Sequence, residues 1–249
     1  MKKLILSLFV LAVCMPASAQ VTVYLKGRKK LDAAAISYRA GKLAVTMKSP
    51  DGTRAGATMK KDVSDVLRVV SPIPANVQKV LGAFERGKFD LVGSAQVTPL
   101  VEANRFLGWG KRIAFVQAFS MIKSGKTAEA KKLLKKARGF MRGGEDELDS
   151  QLIIIAQALA DLKDGSSSKA SMALKGIKES VELGAKCFYY NLQGDILVAS
   201  NKKPLAVLAY YKSFLLDETN DYERNYAKSQ IEGIYKEQND PRLAKISNL

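Results

Sequence analysis

Residues 185–216 read AKCFYYNLQGDILVASNKKPLAVLAYYKSFLL, and this stretch decides the fold. Two runs with apolar residues at helical spacing, 185–200 and 204–216, flank the polar Asn201-Lys202-Lys203, which is the pattern of a helical hairpin. Pro204 stands in the first turn of the second run, where a missing N–H costs nothing. Gly194 and Ala206 are small residues twelve positions apart, and Tyr210 follows four later. Small residues on facing helices allow an approach of about 8–10 Å, and a bulky ring fills the space beside them. A larger residue at Ala206 would overpack that contact at about 1–3 kcal/mol.

The same spacing occurs twice more, at Ala158, Ala170 and Leu174 and at Ala118, Ala130 and Leu134. Successive copies are 40 and 36 residues apart, the range in which helical hairpins stack into an array. Their helices fall at 111–123 with 127–140, and at 148–163 with 167–179. Thr127, Ser167 or Ser168 are positioned to cap the second helices. A weaker hairpin over 75–85 and beyond precedes these units, and an amphipathic helix over 222–237 follows as a cap for the exposed end.

Working outward, Ser71-Pro72-Ile73-Pro74 marks a boundary, since two prolines resist both helix and sheet ladder. Before it the pattern has period two. Val21-Thr22-Val23-Tyr24-Leu25, Ala35-Ile36-Ser37-Tyr38, Leu43-Ala44-Val45-Thr46-Met47, Ala57-Thr58-Met59 and Val66-Leu67-Arg68-Val69-Val70 read as short strands. Gly27, Gly41-Lys42 and Pro50-Asp51-Gly52 punctuate them. Five such strands in about fifty residues have the dimensions of a small closed barrel.

The first residues have a different purpose. Lys2 and Lys3 precede an apolar run over 4–15, and Ala17-Ser18-Ala19 supplies small residues for cleavage before Gln20. The expectation is a signal peptide over 1–19 and a periplasmic or secreted protein. Val13 stands where the residue before a lipidated cysteine is Gly, Ala or Ser, which argues against a lipoprotein anchored at Cys14. Without Cys14 the chain keeps one cysteine, Cys187, and forms no internal disulfide; it is expected to pack as a small apolar residue.

The chain has no histidine, which removes histidine-activated nucleophiles, histidine acid–base chemistry and the usual zinc constellations. A carboxylate pair at the junction of barrel and helices is the enzymatic alternative, and no acidic pair sits in a catalytic motif. No catalytic residue, metal ligand or cofactor is assigned. The formal charge is +16, of which 20–72 contributes +7, 73–149 contributes +6 and 150–249 only +1. The electropositive front suits an anionic envelope polymer or membrane surface.

From about Lys111 to Glu218 the units resemble tetratricopeptide repeats. Tyr190 stands at the aromatic of the first helix, Gly194 at its close-contact position, Ala206 and Tyr210 at the small and aromatic positions of the second, and Ser213 at the next small site. Gln193 and Glu218 depart from the family's usual leucine and proline. The turn placement over 20–72 resembles small Sm-like barrels, which implies an RNA-binding loop at Arg28-Lys29-Lys30; an exported chain does not meet cellular RNA, and nucleic acid is set aside as a partner. The fold class expected is therefore mainly α, a right-handed helical-hairpin solenoid over 73–249 behind a five-stranded β-barrel over 20–72.

The tetratricopeptide resemblance places Arg112, Phe115, Phe119 and Ile122, then Leu152, Ile155 and Leu159, then Phe188, Asn191, Asp195 and Val198 on an inner, concave face. Leu152, Ile155 and Leu159 belong to a helix that is apolar nearly all round and read as core. Arg112, Phe115, Phe119, Asn191 and Asp195 are the candidate partner-binding residues, with core packing as the competing reading. Lys131, Lys132, Lys135, Lys136 and Arg138 crowd the opposite face as a solvated surface or an anionic contact. Trp109, between two glycines, reads as a packing anchor. The function expected is a non-catalytic scaffold for another protein, and the alternative is envelope attachment through the basic front.

Overall fold

The computed structural model describes residues 21–39, 41–49, 55–178, 180–216 and 221–247. The expected leader over 1–19 with Cys14, the Pro50-Asp51-Gly52 turn and Glu218 lie outside the described residues.

Strands β1 (Val21–Leu25), β2 (Lys30–Arg39), β3 (Lys42–Lys48), β4 (Ala55–Asp62) and β5 (Val66–Val70) form one antiparallel sheet in the order β4-β3-β2-β1-β5. Alternation along β1 sends Val21, Val23 and Leu25 to the buried face and leaves Tyr24 half-buried on the other. Val23 pairs with Leu31 on one side and Val69 on the other. The sheet is open, so the expected closed barrel is corrected: β4 and β5 remain as edges. The physical reason lies further along the chain. Leu107 and Met141 join the sheet's core of Val21, Val23, Ile36, Leu43, Val45 and Val69, covering the face that closure would have buried. The β5 edge is partly satisfied by the helical region, with Val69 N–H donating to the Arg142 carbonyl at 2.9 Å. Lys60 and Lys61 lie on β4, at the other edge, where lysines discourage strand-to-strand aggregation.

Ser71 to Pro74 connects β5 to the first helix, and Trp109 fixes this passage. Its indole N–H points at the Ser71 carbonyl, the Ser71 hydroxyl and the Pro72 carbonyl, 3.1–3.2 Å away. Trp109 is thus an anchor, at the seam between sheet and helices. Beside it Gly108 has φ +89° and lies so close to the Val69 carbonyl that a Cβ would overlap it.

The helices are α1 (Ala75–Glu85), α2 (Phe89–Val92), α3 (Thr98–Asn104), α4 (Gly110–Lys123), α5 (Thr127–Ala137), α6 (Asp146–Lys163), α7 (Ser167–Lys175), α8 (Lys186–Ala199), α9 (Lys203–Leu216), α10 (Asp221–Glu237) and α11 (Leu243–Ser247). Helix α4 packs on α5, α6 on α7 and α8 on α9, while α4 lies beside α6 and α6 beside α8. All nine repeat positions named above from Ala118 to Tyr210 are buried or lack a side chain. Tyr210 is fully buried, and its ring lies against Gly194 so closely that a Cβ there would collide with it. Cys187 is buried in the helical core.

One closure recurs at the ends of α1, α4, α6, α8 and α10. Two residues past each end stands a residue of positive φ: Gly87, Gly125, Gly165, Asn201 and Asn239. The next residue's N–H then returns to a carbonyl five positions back, at 2.7–3.0 Å in every case. This is the left-handed helix cap that glycine and asparagine favour. Thr127, Ser167 and Ser168 do not cap: Lys126 and Ser166 occupy the cap positions without a side-chain bond, because the left-handed turn has already set the entry of the next helix. The terminal helix is not alone either, since α11 folds back onto α10 through Leu243 and Ile246.

Candidate functional site

Three helices carry apolar or functional side chains at i, i+3 and i+7, which places each set on one helix face. These are Arg112, Phe115 and Phe119 on α4, Leu152, Ile155 and Leu159 on α6, and Phe188, Asn191 and Asp195 on α8. The face they build is not uniformly open. Phe84 from α1 meets Phe115, Phe119 and Phe188 with ring centroids 5.6–6.0 Å apart, and all four rings are buried. Phe89 of α2 stacks edge-on against Tyr222 of α10 at 4.5 Å, so the first and last parts of the helical region touch.

At one end, α10 fills the concavity. Asn191 Nδ2 donates to the Glu223 carbonyl at 2.9 Å and to its carboxylate at 2.7 Å. Asp195 Oδ1 accepts the hydroxyls of Tyr210 and Tyr226, each at 2.7 Å. The Lys123 ammonium lies 4.2 Å from the Tyr226 ring centroid. Burial holds the Asp195 carboxyl above the usual aspartate range, although the two tyrosine hydroxyls oppose that rise. Burial, and then the nearby Asp195 charge, push both phenols upward. The void left among Phe119, Asn191, Asp195, Glu223 and Tyr226 is about 10 Å³, room for one water at most.

The other end stays open. A cleft of about 540 Å³ has Leu81, Phe84, Phe115, Leu152 and Phe188 in its lining, with Leu148, Leu183, Leu215 and Leu216 around them and Arg112 and Glu85 as its charged groups. Arg112 is already engaged: Nε donates to Asp149 at 2.5 Å and an Nη to Glu145 at 2.7 Å. Beside it Lys111 pairs with Asp146 at 2.6 Å. Burial raises the Asp149 carboxyl above its ordinary value while the Arg112 charge pulls it back. These pairs join α4 to the start of α6.

The structure therefore divides the five candidate residues. Arg112 and Phe115 border the open cleft. Phe119, Asn191 and Asp195 lie together in the filled end, with their polar groups bonded to this chain's own helices. Leu152, Ile155 and Leu159 are buried, as the all-round apolar character of their helix implies. Sequence reasoning did not single out Leu183 and Leu215, or the return of Tyr222, Glu223 and Tyr226 into the concavity. The one-turn spacing of Tyr222 and Tyr226 was the available signal for the latter. On α5, Lys131 is held by Asp161 at 2.7 Å and Asp164 at 2.5 Å, and Lys136 pairs with Glu102, so part of the lysine row joins helices.

Among the described residues no group of three or more histidine, cysteine, aspartate or glutamate side chains is arranged to hold a metal ion. No described helix is long and apolar enough to cross a membrane. The chain matches no protein-family model, no curated protein and no solved structure.

Proposed function

We propose that this chain is an exported, non-catalytic adaptor whose tetratricopeptide-like hairpins form a right-handed solenoid and hold an apolar segment of a partner protein in the open cleft. The observation that carries this reading is the cleft, floored by aromatic rings and edged by Leu183 and Leu215, which are 70% and 72% exposed. Clustered exposed leucines beside a concavity are costly in water and are the usual mark of a docking site. The array itself is supported by the left-handed closures, which recur at intervals of 38, 40, 36 and 38 residues from Gly87 to Asn239. Stacked units of that length bind macromolecules along a shared face. The non-catalytic reading is supported by the lack of histidine and by the partners already bonded to the buried carboxylate Asp149 and the half-buried Asp195. Export is supported by the basic head, the apolar run and Ala17-Ser18-Ala19. Cell fractionation checks it, and unprocessed chain in the cytosol overturns it.

The test of the cleft is cross-linking capture from envelope fractions with the parent chain and with the double variant Leu183→Asp/Leu215→Asp. The parent captures a defined protein and the variant loses it. Equal capture by both removes the cleft as the binding site. Quadruple charge reversal at Lys131, Lys132, Lys135 and Lys136, if it alone abolishes capture, assigns binding to the opposite face.

A further inference from the structure

The strands β1 and β2 are joined by Lys26-Gly27-Arg28-Lys29, a tight loop closed by the Leu25 N–H donating to the Lys29 carbonyl at 2.8 Å. Lys26, Arg28, Lys29 and Lys30 are all exposed. Lys30 sits opposite Tyr24, which in turn sits opposite Arg68, so these three side chains form a row across the outward face at the same end of the sheet. The Arg68 guanidinium lies over the Tyr24 ring at 4.4 Å, which aligns it with the loop cations. Asp32, which pairs with Lys30 at 3.4 Å, is the acidic residue of β1, β2 and β5, and the exposed Asp65 stands in the turn just before β5. Five cations therefore stand against two carboxylates at one tip.

Two further features point to what meets this tip. The strand β5 shifts register against β1 between Tyr24 and Leu25, and Leu67 at that irregularity, next to Arg68 in the chain, is 51% exposed. Arg28 has φ +62°, a left-handed conformation that glycine or asparagine adopts at lower cost, immediately after Gly27 at φ +76°. The loop thus holds a long cationic side chain at a position where a smaller residue would be more stable. Cations around one protruding aliphatic side chain match a bilayer surface, where phosphates take the charges and the leucine enters the boundary below the headgroups. A soluble polyanion would have no use for the leucine. The helical region covers the opposite, apolar face through Leu107 and Met141 and runs beside β5 at Arg142, opposite Arg68, while Lys26, Arg28, Lys29, Lys30 and Leu67 remain exposed.

We propose that the β1–β2 tip, with Lys26, Arg28, Lys29, Lys30, Arg68 and Leu67, is a docking surface for a membrane bearing anionic phospholipid. It is independent of the reading of the cleft. The test is co-sedimentation of the chain beginning at Gln20, since the apolar run over 4–15 would itself partition into lipid. Vesicles of phosphatidylcholine alone are compared with vesicles that also contain phosphatidylglycerol, across a salt series. Binding is expected only with phosphatidylglycerol, and it falls as salt rises. Lys26→Gln and Lys29→Gln each weaken it about fivefold. Arg28→Gly gives a similar loss while its thermal midpoint is unchanged or higher, an outcome that a purely structural role for Arg28 would not produce. Leu67→Ser weakens binding to the same vesicles without changing the salt slope. Equal binding to both vesicle types, or unchanged binding by the charge variants, overturns the proposal. Tighter binding to polyphosphate or to a single-stranded oligonucleotide than to vesicles, with Leu67→Ser silent, assigns the tip to a soluble polyanion and also overturns it.

Discussion

The two ends of the concave face are built from the same three helices at the same spacing, yet they differ in what occupies them. At one end Asn191 and Asp195 receive Glu223, Tyr210 and Tyr226 from α9 and α10. At the other, Arg112 and Phe115 border a cleft of about 540 Å³. Matching positions on successive hairpins therefore need not share a role. Position within a repeat fixes which way a side chain faces, and the remainder of the chain decides whether that face is available. On the reading proposed above the filled end answers to stability and the open end to binding, and four substitutions sharpen or break that division.

The largest effect is expected for Tyr210→Ala. It removes a fully buried ring that packs on Gly194 and donates to Asp195, and should cost about 3–5 kcal/mol in urea unfolding. A loss below about 1 kcal/mol would mean that the filled end contributes no more than an ordinary surface. Next, Asn191→Ala takes a donor from Glu223 and should cost about 1–3 kcal/mol, with faster amide exchange across Asp221–Glu237. If stability holds and partner capture alone is lost, Asn191 belongs with the open end after all.

A smaller effect concerns pH. The folded state holds the Asp195 proton more tightly than the unfolded chain does, because burial raises its carboxyl above the ordinary value. Its contribution to stability is therefore full below an unfolded value of about 3.9 and declines as pH rises toward the raised folded value. Asp195→Asn should flatten that part of the stability–pH profile, with some slope left by Asp149, which is shifted in the same direction. A profile unchanged in thermal scans from acid to neutral pH refutes the assignment. The smallest effect on stability is expected for Leu183→Asp/Leu215→Asp, within about 0.5 kcal/mol, because both side chains are exposed. A large loss there would place the cleft in the core.

The helical hairpins were legible because their constraint is local and repeated. Ala118, Ala130, Ala158, Ala170, Gly194 and Ala206 each record a close helix contact, and the observed helices begin and end within a few residues of the reading. The strands were legible from alternation for the same reason. That the sheet stays open was not, because its apolar face is covered by Leu107 and Met141, which no pattern near the strands announces. Occupation of the groove by α10 was hidden likewise: Tyr222 and Tyr226 look like any amphipathic pair until they meet Phe89 and Asp195. Gly87, Gly125, Gly165, Asn201 and Asn239 were visible as letters, but their equivalence is one of backbone conformation.

The seam between sheet and helices has a consequence for the order in which the chain matures. Val23 and Val69 complete their core only when Leu107 and Met141 arrive, and the Val69 N–H waits for the Arg142 carbonyl. A chain emerging from its N-terminus presents these strands first and their cover much later. Until about residue 142 is out, the strands carry an uncovered apolar face, the kind of surface that holding chaperones recognise and that aggregates when left alone. Speed of assembly is thus set by a pairing across more than a quarter of the polypeptide, and slow emergence would prolong the interval of greatest risk.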